Sequence, residues 1–176
     1  MVSLTFIFWM YVVLFGVIGA MRGWARELLV SFSVILALTF TALLERYVSF
    51  ISDLMAGDAK FSFWLRAIIV IVLVFFGYQT PNIPRFAAKM TREKLQDTLL
   101  GIFLGALNGY LIIGSIWHFM HNAQYPFATI SPPIPGTPMG EAALKLVEYL
   151  PPRVMGEPTI YFAVVLAFIF VIVVFI

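Results

Sequence analysis

The chain has 176 residues, of which 62% are hydrophobic and only 11% charged, and its net charge is +2. Soluble domains carry roughly 25% charged residues, so this composition requires a bilayer as solvent, and so small a net charge gives no basis for binding nucleic acid. The absence of cysteine excludes disulfides, thiolate metal sites and cysteine nucleophiles.

A transmembrane helix needs about 20 apolar residues to cross about 30 Å of hydrocarbon. The first such run is Leu4 to Met21. Met1-Val-Ser is no basic leader and no small-x-small cleavage site precedes Arg22, so the run reads as a retained span. Gly16, Gly19, Ala20 and Gly23 give it small-residue steps of the kind that let membrane helices approach closely. Arg22, Arg26 and Glu27 mark its membrane edge, and a second span follows from Leu28 to Leu44. The third, Phe61 to Tyr78, is long enough only if Arg66, near one end, snorkels its guanidinium back to the headgroups. Arg66 and Glu45 are the ionisable residues expected to reach the hydrocarbon, both close to span ends. That placement argues against a transporter with its coupling charge near the bilayer centre.

Pro81 and Pro84 stop the third span, and Thr91 is placed to cap a helix running through Asp97 into the fourth. Arg85, Lys89, Arg92 and Lys94 would then lie against anionic headgroups, each worth about 1 kcal/mol when close to the surface. In the fourth span, Thr98 to Trp117, Gly101, Gly105 and Gly109 recur every fourth residue. The stripe fits packing against the first span or against a second copy of the chain. Asp97 should share a membrane edge with Arg22 and Arg26, which suggests an ion-pair clamp between the two glycine-rich spans. The alternative is that the arginines only set topology and Asp97 only favours the positive end of its helix.

His118 and His121, three apart at the end of the fourth span, could face one metal or porphyrin-type ligand, but no further ligand lies nearby. Beside Trp117 and Phe119 they read more simply as an interfacial anchor. The segment from Asn122 to Pro158 carries most of the prolines, and a helix is expected at Gly140 to Leu150, with Ala143, Leu144, Val147 and Leu150 on one face. A last run, Thr159 to Ile176, has no glycine and is apolar on every face. It is still unbroken at Ile176, and the natural chain is expected to continue.

Alternate loops hold six Lys and Arg (Arg22, Arg26, Arg85, Lys89, Arg92, Lys94) against four (Arg46, Lys60, Lys145, Arg153). The positive-inside rule places the first set in the cytoplasm and the N-terminus outside.

Arg22, Gly23, Arg26, Glu27 and the following leucine, then Asp97, Leu100, Gly101, Gly105 and Gly109, form an ordered pair of motifs. On these residues the chain resembles the colicin V production protein family of CvpA-like integral membrane proteins, from about Leu4 to Phe119. It departs from the family pattern at Asn108, where arginine is usual, and at Leu104, where phenylalanine is usual. It also appends a fifth run to a pattern of about four spans. The resemblance implies an inner-membrane accessory protein of a bacterium, linked to toxin production or export and envelope maintenance, with no enzymatic activity.

The expected fold is all-α, a polytopic bundle of five transmembrane helices with a proline-rich external loop. It divides into a four-span domain (1–119), an extracytoplasmic loop with a short amphipathic helix (120–158) and an added transmembrane helix (159–176). No nucleophile elbow, phosphate loop or metal-binding helix motif is present. The expected function is a non-catalytic scaffold or accessory subunit with no cofactor, whose partners are membrane lipids and other integral membrane subunits or itself. No small-molecule substrate is identifiable. A homo-oligomeric channel or solute transporter is the alternative, and a pigment- or haem-associated electron-transfer subunit a lesser one.

Overall fold

The structure, a computed structural model, describes residues 3–79 and 94–175, and among them it is helical with no strand. The helices are α1 (Leu4–Arg22), α2 (Trp24–Tyr47), α3 (Ser49–Gly57), α4 (Ala59–Tyr78), α5 (Lys94–Asn122), α6 (Pro138–Val147), α7 (Pro151–Val154) and α8 (Thr159–Phe175). Four of them, α1, α2, α4 and α5, are long and apolar enough to cross a membrane. The expected fifth span, α8, is shorter at 17 residues, about 25 Å of helix. The expectations for Pro81, Pro84, Arg85, Lys89, Thr91 and Arg92 lie outside the described residues.

Between α1 and α2 there is a single residue, Gly23, at φ 84°, a conformation that L side chains rarely adopt. A Cβ there would also lie 2.8 Å from both carboxylate oxygens of Asp97. Gly23 has no side chain to cap α2, and Asp97 supplies the cap from α5 instead, its Oδ1 accepting the Trp24 N–H at 3.1 Å. A carboxylate at a helix N-terminus satisfies an otherwise orphaned donor and meets the positive end of the dipole.

That cap is in reach because α1 and α5 pack backbone to backbone. A methyl built on Gly19 would strike the Gly101 carbonyl oxygen and lie 2.8 Å from Gly105 Cα. One on Gly109 would lie 2.9 Å from Val12 Cα. Gly16 is less constrained, its nearest atom being the Ile102 carbonyl oxygen at 3.5 Å, and Ala20 is half-buried. Helix association in lipid draws on close van der Waals contact rather than on the hydrophobic effect, and side chains on these glycines would hold the two backbones apart.

The sequence reading missed α3. Its sequel Asp58 caps α4, with Oδ1 accepting the backbone N–H of Lys60 at 2.7 Å and of Phe61 at 3.3 Å. This starts α4 two residues ahead of the expected Phe61. Beyond α5 the chain folds back over one end of the bundle. Helix α6 spans Pro138–Val147 rather than 140–150, because Pro138 suits the first turn and the Thr137 hydroxyl oxygen accepts the Gly140 N–H. Its buried residues are Gly140, Ala143 and Val147, and it packs on α1 and α5. Leu150 and Pro151 are fully buried, and a Cβ on Gly114 of α5 would come within 2.7 Å of the Pro151 ring. The Tyr110 hydroxyl donates to the Tyr149 carbonyl. Finally α8 leans on α2, with Phe170 and Phe32 ring centroids 5.6 Å apart.

Gly19→Ala is expected to destabilise the bundle by about 1–3 kcal/mol, the usual cost of overpacking. Gly16→Ala should stay within about 0.5 kcal/mol, with reversible unfolding in detergent micelles as the measurement.

Candidate functional site

Glu27 is one turn into α2 and belongs to its buried face with Val30, Ser31 and Val34. The sequence reading set it at the membrane edge, and the glycine seam also draws α5 over it and leaves it 0% exposed. The residue that covers it is Asn108, also 0% exposed and near the midpoint of the 29-residue α5.

The side-chain network around this carboxylate has one consistent orientation. Asn108 Nδ2 donates to Glu27 Oε2 at 2.8 Å and to the Glu27 carbonyl oxygen at 2.8 Å. Asn108 Oδ1 accepts from the Ser31 hydroxyl at 2.7 Å. Reversing the amide would set its oxygen against two acceptors, so the network determines which way Asn108 points. Arg22 approaches from the α1 side, with Nη1 3.3 Å from Glu27 Oε1. This is an ion pair without hydrogen-bond alignment, since neither atom has a hydrogen-bond partner among the described residues. Arg22 Nη2 donates to the Tyr78 carbonyl at 3.2 Å, and the guanidinium sits 4.2 Å from the centre of the Tyr78 ring. The Tyr78 hydroxyl is likewise buried without a hydrogen bond among the described residues.

The node therefore joins α1, α2, α4 and α5 through one buried negative charge and one half-buried positive charge. Its carboxylate has one oxygen held by an amide and one faced by a guanidinium. Such a group can hold the bundle in register. Its residues could have been noticed from two signals: Glu27 and Ser31 lie four apart on one helix face, and Asn108 interrupts an apolar run between Gly105 and Gly109.

The other expected site residues fall elsewhere. Arg22 pairs with Glu27, while Asp97 bonds the α2 N-terminus. Arg26 is exposed on the first turn of α2, and Lys94 is exposed at the start of α5. Arg85, Lys89 and Arg92 are outside the described residues.

At the opposite end of the bundle, Arg66 donates through Nε and Nη2 to the two Glu45 oxygens at 2.7 and 3.0 Å, and through Nη1 to Ser62 at 2.7 Å. The guanidinium thereby makes a bidentate pair between α2 and α4. The pair borders a 180 Å³ pocket that His118, Asn122 and Glu157 also line. His118 Nε2 faces Asn122 Nδ2 at 3.0 Å, and His121 Nδ1 faces the Tyr125 hydroxyl at 3.4 Å, so the two imidazoles have separate partners. That hydroxyl also accepts the Trp117 Nε1–H at 3.2 Å, and burial pushes its pKa up. Among the described residues no three His, Asp or Glu side chains converge as metal ligands.

The family model described as colicin V production protein matches residues 4–131, which takes in the seam, the node and the start of the folded-back segment. No curated protein and no solved structure matches the chain.

Glu27→Leu strands Arg22 and is expected to cost about 3–5 kcal/mol, as removal of one partner from a buried pair does. Arg22→Met combined with Glu27→Leu should recover part of that loss. The check is a double-mutant cycle by unfolding in micelles, with a coupling energy of at least about 1 kcal/mol.

Proposed function

Because this multi-pass membrane protein belongs to the colicin V production protein family, we propose that it is a non-catalytic accessory or scaffold subunit of a larger bacterial inner-membrane assembly. That assembly serves toxin production or export and envelope maintenance. In this reading α8 is a fifth span, the N-terminus is extracytoplasmic, and the segment over the end of the bundle faces outside. The observation that carries it is the contrast between the two sides of α1. One side is spent on the glycine seam, while the other presents Phe6, Val13 and Val17, each more than half exposed, as a ridge for a neighbouring helix.

A second reading, a homo-oligomeric channel or solute transporter, is favoured by one specific observation: a fully buried carboxylate, Glu27, against the midpoint of α5. An intramembrane ionisable group of this kind is where coupling would reside.

Native mass spectrometry of protein extracted from its own membrane, together with flux assays in liposomes, separates the two. The scaffold reading expects a heteromeric complex and no flux. Val13→Trp should weaken that complex about tenfold while leaving the fold intact, as a misfit of about 1.4 kcal/mol would. A pure homo-oligomer with flux abolished by Glu27→Gln would overturn it in favour of transport.

A further inference from the structure

Helix α8 packs on α2 but leaves the α4 side open, and a trench of 520 Å³ remains among the three helices. Its walls include Leu29 and Leu36 of α2, Leu73 and Gly77 of α4, and Val164 and Val171 of α8. A second apolar hollow of 360 Å³ shares Leu36 and Leu73 with it and carries the trench on to Phe40 and Ile68. We propose that this trench is a specific seat for one acyl chain of a glycerophospholipid, with the lipid phosphate held at its Gln79 end.

The length of the trench argues for a lipid chain over a protein helix. From Leu29 to Phe40 on α2, and from Ile68 to Gln79 on α4, each wall advances 11 residues, or about 16 Å at 1.5 Å per residue. One leaflet of hydrocarbon is about 15 Å deep, half of the full core. The trench stops short of the Glu45–Arg66 pair, so it serves one leaflet only, whereas a transmembrane partner would lie along a groove running the whole depth.

Polarity along the trench argues for the direction of the lipid. The inner part, bordered by Phe40, Ile68 and Val72, is wholly apolar. Polar side chains enter only towards the other end, with Ser33 in the wall and the exposed Gln79 at the rim. An amide at the mouth of an apolar slot is complementary to a phosphate diester carrying a hydrocarbon tail.

The test uses the full chain in lipid nanodiscs containing phosphatidylglycerol with a photoactivatable diazirine midway along one acyl chain. After irradiation, label is expected on the peptides holding Leu36 and Leu73, and it should saturate against unlabelled phosphatidylglycerol. Leu36→Trp, which fills the slot from a partly exposed position, and Val72→Trp from the facing wall should each remove most of the trench label. Gln79→Leu should weaken saturation about tenfold, the effect of losing one hydrogen bond to a charged group. Label spread as heavily over Phe6 and Val13 of α1 as over the trench, or trench label that does not saturate, would overturn the proposal, and so would a crosslinked second polypeptide there. Saturation on the unsubstituted chain decides the matter even if a tryptophan variant fails to fold, and it does so whether the protein is a scaffold or a transporter.

Discussion

The backbones of α1 and α5 meet at Gly19, Gly101 and Gly105, and the remaining contacts of the bundle take their register from that line. A shift of one residue along α5 would rotate its side chains by about 100°. It would withdraw Asp97 from the start of α2 and Asn108 from Glu27 together. In lipid no hydrophobic force presses helices into contact, so the fit of small residues against backbone is what singles out this register from its neighbours. The cap, the buried amide and the fold-back of the chain over the bundle end are all consequences of that fit.

Two ion pairs tie the bundle at its two ends, and their surroundings differ. The Glu45–Arg66 pair is bidentate, and both side chains retain some exposure, 33% and 16%. At the seam, Glu27 is fully enclosed, and its arginine reaches it without hydrogen-bond alignment. Desolvating a carboxylate to this degree is expensive, and a buried pair often adds little net stability even when breaking it is very costly. The node is better understood as a device that rejects misregistered packings than as a source of stability.

The four long helices were legible in composition alone, because crossing a bilayer requires long apolar runs and leaves little freedom in how to write them. The glycine spacing of the seam was legible for a similar reason, since few residues allow backbones to touch. The burial of Glu27 was not legible, because a charged residue beside a turn gives no local sign of being covered. Only the arrival of Asn108, 81 positions later, makes it an interior group, and no local pattern announces that. Asp97 was expected to pair with Arg22 or Arg26, but it accepts the Trp24 N–H, a main-chain group that charge counting does not consider. The α3 helix was overlooked because nine residues are too few to establish a periodicity.

The one-residue joint at Gly23 has a consequence for the order in which the chain is made. Helices α1 and α2 leave the ribosome as a hairpin whose second helix lacks its cap until Asp97 follows, 73 residues behind Trp24. Over that interval the exposed helix end and the Glu27 carboxylate must be tolerated in the membrane or shielded by the insertion machinery. Arg22 is five residues from Glu27 and within the same hairpin, so it can neutralise the carboxylate from the outset. The ion pair is complete within the hairpin itself, whereas the other carboxylate oxygen waits for Asn108 of α5.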